Sequence, residues 1–227
     1  STRKPLPRSN YYVIKSMPLN KKRLNASKLY LILDAQVLDH AKLLIVLKDA
    51  VRFGIDIVQL RDKFGTARDI LSFAKHALKI TRHQIPFIVN DRIDLALLSG
   101  ADGVHLGQDD IPYKDARKMM GPRAIIGVSC QSMLHVRKAV HEGVHYIGFG
   151  SVFKTLTKPE RNPMDLKVLR NVLLEKKVPV FPIGGIGRGN VKQLIDLGAR
   201  RVAVCRDILL ASDLKNTISE FKGRLDA

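Results

Sequence analysis

The sequence predicts an α/β protein: a single (β/α)8 TIM barrel over residues 29–227, preceded by a basic N-terminal extension of residues 1–28. Three observations predict it. Short apolar runs rich in β-formers alternate with stretches of helical periodicity, the arrangement of crossover units on a parallel sheet. The unit recurs eight times in about 200 residues, the count and size of this barrel. No linker interrupts the chain after residue 28. A doubly wound open sheet is the alternative architecture.

The strands read in order as LYLIL (29–33), IDIVQL (55–60), PFIVN (86–90), GVHL (103–106), AIIGV (124–128), YIGFG (146–150), VPVFPI (178–183) and RVAVC (201–205). Their near-continuous apolarity suits strands covered on both faces. Helical periodicity follows each, near 37–53, 66–82, 92–99 and 112–119 for the first four.

The totals bound the function. A hydrophobic content of 45% supports a full core, and no apolar run approaches the roughly 20 residues of a membrane span. Cys130 and Cys205 are the only cysteines, so no disulfide framework or zinc spacing exists. With a polar, basic, proline-containing start, the expected location is cytoplasmic. The net charge is +18, and residues 1–28 carry eight Lys or Arg and no acid. That segment reads as a solvated tail. A salt-sensitive anchor for polyanions is the sharper alternative, but no aromatic-rich groove accompanies it, so nucleic acid is not the expected partner. The remaining body is still about +10, which suits phosphorylated small-molecule substrates. A homo-oligomer is compatible with all of this.

In a barrel of this type, residues just past each strand end build the catalytic rim. Strand two ends VQLRDK, and alternation sends Gln59, Arg61 and Lys63 to one side. An amide and two cations there can hold a polyphosphate, although Arg61 could instead spend itself on a carboxylate bridge. Strand three runs into Asn90, Asp91 and Arg92. Strand four runs into GQDD, whose Asp109 and Asp110 lie one loop away from Asp91. One or two carboxylates with phosphate oxygens and water are the usual surroundings of Mg2+. One of these Asp residues is also expected to cap the following helix. His105, inside strand four, reads as a packed core histidine.

Strand six leads into a loop carrying Ser151, Thr155, Thr157 and Lys158. Strand seven ends PIGGIGRGN, where Gly184, Gly185, Gly187 and Gly189 offer backbone N–H groups as an anion nest. After strand eight, Cys205 and Arg206 adjoin the same place, the usual phosphate position of this barrel. The rim therefore reads as a pyrophosphate-like site near strands two to four and a monophosphate-like site near strands seven and eight. No general base or activated nucleophile declares itself.

These motifs resemble the thiamine phosphate synthase family. VQLRDK, FIVNDRIDLAL, GADGVHLGQDD, GVS, YIGFGSVFKTLTK and PIGGI fall in the family's order and spacing from Leu29 to about Ser212. The resemblance implies joining of hydroxymethylpyrimidine pyrophosphate to thiazole phosphate, with release of pyrophosphate in a dissociative, Mg2+-assisted substitution. It implies that Gln59 contacts the pyrimidine, that Arg61, Lys63, Asn90 and Lys158 hold the pyrophosphate, and that Asp91 and Asp110 hold Mg2+. Ser129 would lie by the reacting centre. Thr155, Thr157, Gly185, Cys205 and Arg206 would serve the thiazole phosphate. The chain departs from the family pattern at Lys154 and Leu156, each in place of Pro, at Gln131 in place of a frequent His, at Asp165 near a usual Gly, and at Arg206 in place of a small residue. A thiazole tautomerase-like relative and a nucleic-acid-binding barrel with a relic site are the rival readings. The tautomerase branch usually lacks the paired Thr-x-Thr-Lys and the second Asp.

Overall fold

The computed structural model describes residues 21–156, 162–175 and 177–226. Eight parallel strands close on themselves in chain order: β1 (Leu29–Asp34), β2 (Ile57–Arg61), β3 (Phe87–Asn90), β4 (Gly103–Leu106), β5 (Ile125–Cys130), β6 (Tyr146–Gly150), β7 (Val180–Ile183) and β8 (Val202–Val204). The helices are α1 (Lys21–Ala26), α2 (His40–Arg52), α3 (Ala67–Thr81), α4 (Ile93–Ser99), α5 (Tyr113–Met120), α6 (Met133–Glu142), α7 (Leu166–Glu175), α8 (Val191–Asp196), α9 (Arg206–Leu209) and α10 (Leu214–Asp226).

Strand alternation sorts the side chains into two layers. Leu29, Leu31, Leu33, Val58, Leu60, Phe87 and Val89 face the helices and join one large core. Tyr30, Ile32, Ile57, Ile88, Ile125, Tyr146, Phe181 and Ala203 fill the barrel interior. The same two-residue period sends Asp34, Gln59, Arg61, Asn90, His105 and Ser129 inward at the upper ends of their strands. The register sets Ile32 beside Gln59 and Asp34 beside Arg61. The inner filling thus changes along the barrel axis from apolar at the bottom to polar at the rim.

Local chemistry sets the element boundaries. Asp39 caps α2 by accepting from the Lys42 N–H, Thr66 caps α3 through Asp69, and Ser132 caps α6 through His135. β2 begins at Ile57, later than the apolar run suggests. The Ile55 N–H closes α2 on the Ala50 carbonyl, and the Asp56 carboxylate accepts from the N–H groups of Lys28 and Leu29. β5 runs on to Cys130, two residues past the expected end, so Ser129 belongs to a strand rather than a loop.

α1, just before β1, takes part in the core, while residues 1–20 of the basic extension lie outside the described residues. In α1, Leu24 is 1% exposed and packs with the interior cluster, closing the barrel at the end opposite the rim. Leu24→Ala is expected to cost about 2–5 kcal/mol, read by urea denaturation. No helix of the described residues is long and apolar enough to cross a membrane.

Candidate active site

A cavity of about 630 Å3 opens at the C-terminal ends of the strands. It is floored by Tyr30, Ile32, Gln59, His105, Ser129 and Phe181, which rise from five different strands. Its polar wall is assembled in three places.

The first is the end of β2. The Arg61 guanidinium lines the cavity while its Nη1 donates to Asp34 Oδ2 and Oδ1 at 3.0 and 3.2 Å and to Gln36 Oε1 at 2.6 Å. The carboxylate bridge anticipated as an alternative role is present, with fully buried Asp34, yet it does not withdraw Arg61 from the cavity. Asp34 fixes one edge of the fork and leaves the guanidinium oriented in advance. The signal for Asp34 was available in the sequence: an acid at the end of LYLILD occupies the same strand-end position as Asn90.

The second is the pair of loops after β3 and β4. Asn90 lines the cavity, and the next residue, Asp91, turns the chain with φ +60° while its N–H donates to the His105 carbonyl at 2.8 Å. Asp is among the few non-glycine residues that tolerate this left-handed backbone. The turn brings the Asp91 carboxylate against both the Lys63 ammonium and the Asp110 carboxylate. Burial first, and the adjoining Asp91 second, raise the Asp110 pKa above the ordinary carboxylate value. Two carboxylates in contact, half-neutralised by one lysine, are repulsive unless a proton or a further cation joins them. An Mg2+ ion held by two carboxylates and substrate oxygens fits that donor set, and among the described residues no third carboxylate, His or Cys completes a cage.

Asp110 corrects one expectation. α5 starts at Tyr113 with Pro112 in the cap position, and neither Asp109 nor Asp110 caps it. The Asp110 Oδ2 instead accepts from the Gly107 N–H at 2.6 Å, closing the turn after β4, because Pro112 holds the helix start too far down the chain. Arg92 forks onto Asp94 at 2.6 and 2.9 Å in the first turn of α4, so it orders the loop without reaching the cavity.

The third place is the pair of loops after β7 and β8. Gly184 and Gly185 have φ of +105° and +64°. A Cβ on Gly184 would stand 2.6 Å from the Ser151 Cβ, and one on Gly185 would stand 2.3 Å from the Lys154 carbonyl oxygen. Glycine is required there so that the segments after β6 and β7 can zip together through Val152 N–H to Ile183 O and Phe153 N–H to Gly184 O. That zipper sets Lys154, Thr155 and Leu156 on the cavity wall.

The anion nest is smaller than four glycines suggest. The Gly187 N–H is satisfied by Asn190 Oδ1 and the Arg188 N–H by Asp207 Oδ2, because the Asn190 and Asp207 side chains close this loop. Asp207 takes Arg188 rather than Arg206, and Cys205 and Arg206 line the cavity. The sequence reading missed Arg188 and Lys154 as cavity residues. Thr157 and Lys158 lie outside the described residues.

His105 is buried, as expected of a core histidine, but it also lines the cavity and bonds Ser129 Oγ at 2.9 Å through Nε2. Cys130 is buried facing the helices, and burial pushes its thiol up to about 12, which excludes it as a nucleophile.

The described barrel matches known proteins along its length. The family model described as thiamine monophosphate synthase matches residues 29–208. A thiamine-phosphate synthase of Gloeobacter violaceus is 43% identical over 205 residues, covering 90% of this chain and 59% of that protein, so the chain spans a little over half of its length. The Halalkalibacterium halodurans thiamine-phosphate synthase is 38% identical over 201 residues, 88% of this chain and 95% of its own. The solved thiamine phosphate pyrophosphorylase of Pyrococcus furiosus superposes with a TM-score of 0.80 at 30% identity, covering 91% of this chain and 97% of that one. Barrel, rim chemistry and relatives agree, and the chain belongs to the thiamine monophosphate synthase family.

Proposed function

We propose that this chain is a transferase that joins hydroxymethylpyrimidine pyrophosphate to thiazole phosphate, releasing pyrophosphate. The observation that carries the reading is one cavity with a different anion site at each end. Arg61 and Asn90 line one end, with the Lys63–Asp91–Asp110 cluster next along the chain from them and outside the lining itself; Gly184, Gly185 and Arg206 line the other. The rival tautomerase reading has no use for the first of these, and a nucleic-acid barrel has no use for a cavity of small-molecule size.

In this reading the bond between the pyrimidine methylene carbon and the pyrophosphate oxygen breaks, and its electron pair leaves with pyrophosphate. The thiazole ring nitrogen then forms the new C–N bond with that carbon. Neither event removes a proton, so the reaction requires no general base. The work left to the protein is stabilising the departing negative charge and holding the two rings in line. Arg61, already held by Asp34, presents its free edge to the pyrophosphate, with Lys63 and Asn90 beside it. Asp91 and Asp110 would hold Mg2+, which when bound neutralises charge on the leaving group. Lys158 joins this grip and Thr157 the opposite site by family resemblance. Gln59 and Ser129 hold the pyrimidine, while Thr155, the Gly185 backbone, Cys205 and Arg206 hold the thiazole phosphate. A cytoplasmic setting accords with Cys130 and Cys205 standing outside any disulfide.

Mixing the purified chain with both substrates and Mg2+ tests the proposal. Thiamine phosphate, detected as fluorescent thiochrome after oxidation, is expected; its absence with both substrates in excess contradicts the reading. Arg206 gives a second prediction, because a guanidinium aimed at a monophosphate makes a charge-assisted bond that a small residue cannot. Arg206→Ser is expected to raise the KM for thiazole phosphate about tenfold and to leave that for the pyrimidine substrate within twofold. A lowered thiazole KM would instead show that Arg206 crowds the site.

A further inference from the structure

Beneath the cavity, five polar side chains from five strands form one continuous hydrogen-bonded chain. Gln59 Nε2 meets Tyr30 Oη at 2.6 Å, Tyr30 Oη meets Tyr146 Oη at 2.8 Å, Tyr146 Oη meets His105 Nδ1 at 3.0 Å, and His105 Nε2 meets Ser129 Oγ at 2.9 Å. Both ends, Gln59 and Ser129, line the cavity. The middle is buried: Tyr146 is 0% exposed and Tyr30 2%.

The backbone is cleared for this chain. A Cβ on Gly127 would stand 2.0 Å from the Tyr146 ring carbon that carries the hydroxyl, and a Cβ on Gly148 would stand 3.1 Å from the His105 ring. Only glycine at position 127 leaves room for the Tyr146 phenol across the barrel interior. The rings also brace one another, with Tyr30, Tyr146 and Phe181 edge to face at centroid distances of 5.3–5.7 Å.

Such a chain has a direction. Burial raises both phenol pKa values, so each keeps its single proton and donates one hydrogen bond. With the Gln59 amide nitrogen donating to Tyr30, Tyr30 must donate to Tyr146 and Tyr146 to His105 Nδ1. His105 then carries its proton on Nε2 and donates to Ser129. Gln59 is left with its carbonyl oxygen for the cavity, and Ser129 with its hydroxyl proton.

We propose that Tyr30, Tyr146 and His105 are positioning residues that fix this direction, so that the cavity floor offers an acceptor at Gln59 and a donor at Ser129. The inference rests on the reading that the cavity takes a pyrimidine, and it names a feature of that pyrimidine. An amino substituent supplies the N–H that the Gln59 oxygen needs, and an unprotonated ring nitrogen accepts from Ser129. An oxo-substituted pyrimidine presents the opposite pattern and leaves buried polar groups unpaired, the situation in which a polar site discriminates most.

Tyr146→Phe keeps the ring and removes the hydroxyl that links Tyr30 to His105. Tyr30 can then donate to a turned-over Gln59 amide, and His105 Nδ1 loses the phenol donor that sets its tautomer. The experiment compares kcat/KM for amino- and oxo-substituted hydroxymethylpyrimidine pyrophosphates in the wild type and in Tyr146→Phe. The wild type is expected to prefer the amino form by at least about 100-fold. In Tyr146→Phe that preference is expected to fall to about tenfold or less, with the KM for thiazole phosphate unchanged. An equal fall for both pyrimidines would mean a purely structural tyrosine and would overturn the proposal.

A second measurement needs neither turnover nor a variant that must work. In 15N-histidine-labelled wild-type protein, long-range proton–nitrogen correlation spectra read the His105 tautomer, with a His105→Asn sample identifying its signals. A proton on Nε2 is expected; a proton on Nδ1 reverses the chain and overturns the proposal. If the wild type turns over neither pyrimidine, the proposed activity fails, while the tautomer still decides the direction of the chain.

Discussion

Asp91→Asn is expected to lower kcat by about 10²–10³ while leaving the barrel folded, as judged by an unchanged circular dichroism spectrum and thermal midpoint. Asparagine is the right replacement because position 91 has φ +60°, which Asn accepts and Ala resists. The substitution keeps the turn and the N–H bond to the His105 carbonyl, and it removes one negative charge from the Lys63–Asp91–Asp110 cluster. A preorganised electrostatic partner of a leaving group is typically worth about 3–4 kcal/mol, which sets the expected factor. The Mg2+ concentration for half-maximal rate should rise in parallel. Asp110→Asn is expected to behave alike, with an added loss of stability of about 1 kcal/mol from the weakened bond to the Gly107 N–H. Full activity of Asp91→Asn in the presence of EDTA would remove both the metal and the carboxylate from the account.

Arg61→Met is expected to abolish most activity and also to destabilise the fold by about 3 kcal/mol, because it strands the Asp34 carboxylate without its cation. Asp34 is fully buried, and the Gln36 N–H, at 3.0 Å, also donates to that carboxylate but carries no charge to balance it. Adding Asp34→Asn to Arg61→Met removes the stranded charge, so the double variant should recover stability to within about 1 kcal/mol of the wild type. It should recover no activity, because the guanidinium is still missing. This separates the two tasks of Arg61, as a partner to Asp34 and as a grip on the substrate. Recovery of both would show that Arg61 acts only through the fold; recovery of neither would show that Asp34 has another task. Denaturant unfolding and steady-state rates on the wild type, Arg61→Met and the double variant supply the comparison.

Much of this architecture was legible because buried parallel strands and strand alternation leave strong traces. The apolar runs located every strand to within about two residues, and period two placed Gln59 and Arg61 on the cavity side before any coordinates. The glycines at 184 and 185 were legible as a turn. What was not legible depends on contacts between distant strands. Asp34 is one residue past an apolar run and becomes meaningful only when β1 sets it opposite Arg61. Tyr146 looked like an ordinary strand residue; its role needs Gly127, on the neighbouring strand, to make room. The helix-cap reading of Asp109 and Asp110 failed because side-chain propensity alone cannot say whether Pro112 or an Asp occupies the cap. The four-glycine nest was overcounted because Asn190 reaches back to the Gly187 N–H and Asp207 to the neighbouring Arg188 N–H, a tertiary arrangement with no local signature.

The account's central claim is that one cavity breaks a carbon–oxygen bond at its cationic end while keeping a monophosphate intact at its glycine end. Phosphorus NMR of the wild-type chain with both substrates and Mg2+ reads this directly. The account predicts that free pyrophosphate appears in a one-to-one ratio with thiamine phosphate, only when both substrates are present, and that no orthophosphate is released. Orthophosphate release, or consumption of the pyrimidine pyrophosphate without a new thiamine phosphate signal, would contradict it.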